Sequence, residues 1–210
     1  MKKYEFGDDN SSNKLIQMVD DHDLSAIEGE VSYLRKVIGG DFHLIAFKVS
    51  DWNNGLSPWE APPVFGNEGF GGAAEDTLSE VLSEIKDQPG NYYIGGYSLA
   101  GLFALWAAYK TDIFHGVAAA SPSVWFPGFD RFMKDNDILT EKVYLSLGDR
   151  EEKTRNQIMS TVGDRIREAY SYLNSKGTEC VLEWNRGNHF MDANIRTAKA
   201  FAWVLGQHKQ

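Results

Sequence analysis

Ser98 stands in the run Tyr92-Tyr93-Ile94-Gly95-Gly96-Tyr97-Ser98-Leu99-Ala100-Gly101-Leu102-Phe103-Ala104-Leu105-Trp106. A β-branched and aromatic stretch enters a Gly-x-Ser-x-small turn, and an apolar helical stretch leaves it. A serine held on so sharp a turn lifts its hydroxyl clear of the strand and can act as a nucleophile. Side chains larger than those of Gly96 and Ala100 would collide across the turn. Gly101 lets the helix approach the neighbouring strand. The Leu99 amide, at the start of the helix, is free to bind a developing oxyanion. The plainer alternative is a strand-to-helix turn with a capping serine. The strand before, the helix after and the second glycine favour the nucleophile elbow.

A serine nucleophile needs a base, and the base needs an orienting acid. On an elbow of this kind the chain order is serine, acid, histidine. The sequence has five histidines. His43 and His115 fall in or beside strand-like segments, His208 lies at the C-terminus, and His22 precedes the serine. His189 remains, in Asn185-Arg186-Gly187-Asn188-His189-Phe190, between the last strand pattern and the last helix pattern. The acid should follow the strand over residues 142–147. That loop reads Gly148-Asp149-Arg150-Glu151-Glu152 and offers three carboxylates. Glu151 is the first choice and Asp149 the second. Glu152 reads better as a solvated acid near a helix N-terminus.

The second oxyanion donor is expected from the backbone of Asp21 or His22, in Asp20-Asp21-His22-Asp23. These aspartates read as helix caps. No second histidine lies at ligand spacing and no glycine-bearing calcium loop is present, so neither a metal nor any other cofactor is expected. A long loop over residues 50–72 carries Trp52, Trp59, Pro62, Pro63 and Phe65, and Trp125-Phe126 follows a later strand. Trp52, Trp59, Trp125 and Phe126 are the candidate substrate-binding residues, with ordinary packing as their alternative role.

The segments that position these residues alternate between strand and helix. Strands are expected over 14–19, 42–49, the stretch before Ser98, 115–120, 142–147 and 179–184. Helices are expected after a Ser25/Glu28 capping box, over 73–86, 99–109, 154–176 and 192–205. The pattern predicts a mostly parallel sheet covered on both faces. The length of 210 residues fits one domain over 1–210. A formal net charge of −9 argues against nucleic-acid or anionic-membrane partners. No apolar run reaches bilayer length, and Met1 to Asp9 has no signal-peptide h-region. The single cysteine, Cys180, fits a reducing cytoplasm and the core of the last strand. Oligomeric state is left open.

Gly95 to Leu105, together with Ser121-Pro122-Ser123-Val124-Trp125 after the next strand, resembles an esterase family of α/β-hydrolases. That family includes enterochelin (siderophore) esterases, esterase D-type enzymes and feruloyl esterases. The resemblance spans roughly residues 14–205. It implies an α/β-hydrolase fold and metal-independent serine hydrolysis of a carboxylic ester, with Ser98 as nucleophile and His189 as base. A Gly-x-x-Glu step, matched by Gly148 to Glu151, would supply the acid. Three departures are visible. Ala100 stands where glycine is common, Asp21-His22-Asp23 replaces a glycine-containing oxyanion loop, and the chain starts near the family's third strand. An N-terminally trimmed fold without a lid domain is therefore expected, acting on a small ester. Acyl transfer, thioester cleavage and ligand binding without catalysis are the alternatives.

Overall fold

The computed structural model describes residues 1–64 and 66–206; the expectations for Phe65 and His208 lie outside them. Seven strands form one sheet in the order β1-β3-β2-β6-β7-β8-β9. They are β1 (Lys2–Gly7), β2 (Asn13–Val19), β3 (His43–Lys48), β6 (Asn91–Tyr97), β7 (Phe114–Ala120), β8 (Lys142–Gly148) and β9 (Glu179–Asn185). All neighbours run parallel except β1, which pairs antiparallel with β3. Strand β1 lies outside the expected set of strands and gives the sheet an antiparallel edge. Its Tyr4 and Phe6 pack against the core on alternate positions, which fixes the strand's register.

Each interior strand sends side chains to both faces. On β2, Ile16 and Met18 join one core cluster and Leu15 and Val19 the other. Helices α3 (Ala74–Ile85), α4 (Leu99–Ala107), α5 (Phe129–Asp135) and α6 (Val162–Ser175) contribute to the first cluster. Helices α1 (Asp21–Ile38) and α7 (Ala193–Val204) contribute to the second. The strand order reverses between β2 and β6, so the carboxyl ends of these two strands flank the switch point where open α/β sheets place their ligands.

Several boundaries differ from expectation. The capping box of α1 is Asp20/Asp23, with the Asp20 carboxylate accepting from the Asp23 amide at 2.8 Å and the reverse bond at 3.2 Å. It starts the helix directly after β2, so Ser25 lies inside it and donates to the His22 carbonyl. The 50–72 segment contains α2 (Trp52–Gly55) and the paired short strands β4 (Glu60–Ala61) and β5 (Phe70–Gly71). The long helix begins at Val162 after a 3₁₀ turn over Met159–Thr161, which leaves Ile158 40% exposed rather than on the buried stripe. Helix α5 was not expected at all. Cys180 is half-buried on edge strand β9, and burial pushes its thiol up to about 12. Among the described residues, no helix is long and apolar enough to cross a membrane.

Candidate active site

Ser98 links β6 to α4 with φ 56° and ψ −117°, a backbone conformation that side-chain-bearing residues rarely adopt. Its amide donates to the Ala120 carbonyl on β7 at 3.1 Å, which ties the turn to the next strand. A methyl group added at Gly96 would meet the Ala100 side chain at 2.6 Å, so the turn closes only around glycine there. The hydroxyl is thereby held at the carboxyl end of the sheet, beside the switch point.

The loop after β9 brings His189 to this hydroxyl. His189 Nε2 lies 3.1 Å from Ser98 Oγ, and Nδ1 lies 2.7 Å from Glu151 Oε2. Glu151 follows β8 across a tight turn and is 7% exposed. Its other oxygen, Oε1, accepts from the Gly148 amide at 2.7 Å, the Ser121 hydroxyl at 2.8 Å and Arg196 Nη1 at 2.9 Å. Burial pushes the Glu151 carboxyl up. The hydrogen bond and charge of His189, the Gly148 amide and the Ser121 hydroxyl outweigh it and hold the carboxyl below its usual range.

The other two carboxylates of that loop serve elsewhere. Asp149 accepts from the Gly187 amide at 2.8 Å and joins the two loops. Glu152 faces Arg167 at the surface.

Arg196 on α7 was not singled out by the sequence. It is 1% exposed and makes five hydrogen bonds. Nη1 reaches Glu151, Ser121 and the Tyr97 hydroxyl, and Nη2 reaches the carbonyls of Arg186 and Asn188 in the loop that carries His189. Tyr97 in turn donates to the His189 carbonyl at 2.8 Å. Burial, with the nearby Glu151 charge, pushes that phenol up to about 12, so it stays a donor. Ser121, like Ser98, has a positive φ, of 42°. The signal for Arg196 was its spacing: Arg196, Ala200 and Val204 form one stripe of α7, and its other members are apolar and buried.

Leu99 opens α4, where the first amides have no acceptor within the helix. His22 lies in the first turn of α1 and lines a different cavity from the one that Ser98 opens to. The Ser98 cavity, about 130 Å³, has Trp52, Phe70, Leu99 and Trp125 as its apolar walls and Asn53, Glu68 and Ser123 as its polar ones. Ser123 Oγ is 3.4 Å from Ser98 Oγ. Two of the expected aromatic contacts need correction. Phe126 is buried, with its ring 5.1 Å from Phe70, and Trp59 packs on Phe126 and donates its indole N–H to the Pro127 carbonyl. Both stand behind the cavity wall, because the turn after β7 directs Phe126 into the core. Phe70, Glu68 and Asn53 escaped the sequence reading, since the folding of the 50–72 segment brings them to the site.

No protein-family model matches the chain, and a search of curated proteins finds no match. Solved structures do match. Siderophore hydrolase EstA from Aspergillus nidulans aligns with TM-score 0.71 at 20% identity, covering 97% of this chain and 86% of that one. An IroE-like serine hydrolase from Shewanella oneidensis aligns with TM-score 0.75 at 14% identity, covering 95% and 73%. The fold is that of the α/β-hydrolases. The enterobactin esterase FES from Shigella flexneri, crystallised with 2,3-dihydroxy-N-benzoyl-glycine, matches with TM-score 0.66 at 13% identity; this chain spans 55% of its length.

Proposed function

We propose that this protein is a serine hydrolase that cleaves a carboxylic ester of a small substrate. The unbroken line from Ser98 through His189 to Glu151 carries the reading, because each link has the distance and chemistry that its step requires. The named activities of the structural neighbours, a siderophore hydrolase, a serine hydrolase and an enterobactin esterase, support the same class of reaction.

In this mechanism the ester carbonyl enters the cavity between Trp52 and Trp125. Ser98 Oγ attacks the carbonyl carbon as His189 Nε2 takes its proton. The charge on the carbonyl oxygen falls to the Leu99 amide at the start of α4. Glu151 keeps the imidazole in the tautomer with a proton on Nδ1 and stabilises the imidazolium. His189 then gives its proton to the leaving alkoxide, which departs as the alcohol. Water, deprotonated by His189, attacks the acyl-enzyme and releases the acid. Arg196 and Tyr97 act as positioning residues that hold Glu151 and the His189 loop in register. The aromatic walls favour an apolar or aromatic group next to the ester.

A fluorophosphonate probe and a panel of esters test this reading. The native protein should label at Ser98 and turn over at least one ester. Ser98→Ala should lose both, and His189→Ala should label far more slowly, because the alkoxide needs its base. Undiminished labelling of His189→Ala would sink the assignment.

A further inference from the structure

A second cavity lies between the N-terminal turns of α1 and α7. It has a volume of about 170 Å³, room for roughly five water-sized groups. Phe190, the residue after His189, stands at its edge, and Gln17 rises into it from β2 beside the switch point. It is separate from the cavity that Ser98 opens to.

Its walls carry hydrogen-bond acceptors without matching donors. Glu30 is 2% exposed and Gln17 is 4% exposed. Gln17 Nε2 donates to Glu30 Oε2 at 3.3 Å, and Gln17 Oε1 and Glu30 Oε1 then have no donor among the described residues. Two neighbouring side-chain donors are engaged elsewhere: the Asn194 amide donates to the Ala26 carbonyl and the Thr197 hydroxyl to the Ala193 carbonyl. Buried acceptors in this condition call for a donor.

The charges point the same way. Asp23, Glu30 and His22 face the cavity from α1, Asp192 faces it from the turn before α7, and β2 contributes only the neutral Gln17. Among the described residues no lysine or arginine lines it. Burial pushes Glu30 up to about 8, against the weaker pull of Gln17. Burial and the charge of Asp20 push Asp23 up to about 6. A bound N–H cation would take the place of the proton that Glu30 holds and donate to Gln17 Oε1 as well. Among the described residues no three ligating side chains converge as a metal needs.

We propose that this cavity binds a small organic cation bearing N–H donors, a primary ammonium or guanidinium group, with Glu30 as its counter-ion and Gln17 Oε1 as a second acceptor. The site stands apart from Ser98 and does not depend on the hydrolase reading.

The test is isothermal titration of the full chain at pH 7 and constant ionic strength. The probes are ethylammonium and ethylguanidinium chloride, with tetramethylammonium and sodium chloride as cations without N–H donors. At least one N–H cation should bind saturably, with a Kd on the order of 1 mM or below. Binding should release protons, read from two buffers of different ionisation enthalpy, because Glu30 must ionise to pair with the cation. Glu30→Gln keeps the shape and should weaken binding about tenfold or more and abolish the proton release. Gln17→Leu should weaken it as well. Ser98→Ala should bind as the native protein does, so loss of esterase activity and loss of cation binding are read separately. Absence of saturable binding, equal affinity for tetramethylammonium, or an unchanged affinity in Glu30→Gln would each overturn the proposal.

Discussion

The two faces of the sheet are built on different principles. Toward α4, Ile94, Val117, Ala119 and Leu145 meet Leu102, Phe103 and Leu105, all of them at 0% exposure. Toward α1 and α7, the same layer buries Gln17, Glu30, Arg196 and Thr197 among its apolar residues. The first face gains stability from area and close packing alone. On the second, each buried polar group must find a partner or destabilise the fold. Around Glu151 the partners are complete. Around Glu30 they are not. The difference separates a face of close apolar packing from one that buries polar networks.

The comparison can be broken most severely at the carboxylate. Glu151→Gln is expected to lower kcat by about 10²–10⁴ with little change in KM, because the stabilisation lost belongs to the transition state. Asp149→Asn should cost less than about tenfold, a loosened loop rather than a lost charge partner. Steady-state kinetics on the two variants decide between them; a major loss in Asp149→Asn alone would move the role to Asp149.

On the apolar face, Phe103→Ala should cost about 3–5 kcal/mol of stability in urea unfolding. The fraction that remains folded should keep native kcat. On the polar face, Arg196→Met leaves Glu151 buried beside a lost cation and should cost about 3 kcal/mol. It should also lower kcat. The double variant Glu151→Gln/Arg196→Met should recover most of that stability and none of the activity. A native kcat in Arg196→Met would strip the arginine of its positioning role.

The pH-dependent effect concerns Glu30. Its folded carboxyl is raised from the usual 4.5 to about 8, so between those values the folded state holds a proton that the unfolded chain has lost. Stability therefore falls as pH rises through that window. Glu30→Gln should remove this loss, raising Tm at pH 8 while changing it little at pH 4. Calorimetry at the two pH values checks the sign.

The elbow was legible because it is local: its glycines, Ser98 and the start of its helix lie within a dozen consecutive residues. Glu151 was preferred for its reach, since it follows the Gly148 turn at the distance from which a long side chain can fold back, and the structure sets it against His189 Nδ1. The mostly parallel, two-faced sheet followed from alternation and periodicity; its strand order is a matter of long-range pairing. Arg196 was hidden because its partners Tyr97, Ser121 and Glu151 lie 99, 75 and 45 residues away, and a basic residue in a helix reads as solvated. The roles of Trp59 and Phe126 were hidden for a related reason. Aromatic residues near a site look alike in sequence whether they face a cavity or stand behind its wall, and only the turn after β7 separates them. The first helix was misplaced by one turn because Ser25/Glu28 and Asp20/Asp23 are both acceptable caps, and the end of β2 selects between them.

The segment between β3 and α3 closes on itself. The Gly72 amide donates to the Ser57 hydroxyl at 2.8 Å, the Ala73 amide to the Asn54 carbonyl at 2.9 Å and the Ala74 amide to the Ser57 carbonyl at 3.1 Å. The described residues between these clasps supply Glu68 and Phe70 to the cavity without supplying any member of the Ser98–His189–Glu151 line. Under the proposed hydrolase function, the selecting wall and the reacting groups thus occupy different stretches of chain. Changes in length or sequence between Ser57 and Gly72 would then alter which ester is accepted while Ser98, His189 and Glu151 stay where they are. The clasp keeps the two ends of the insertion at a fixed separation whatever lies between them.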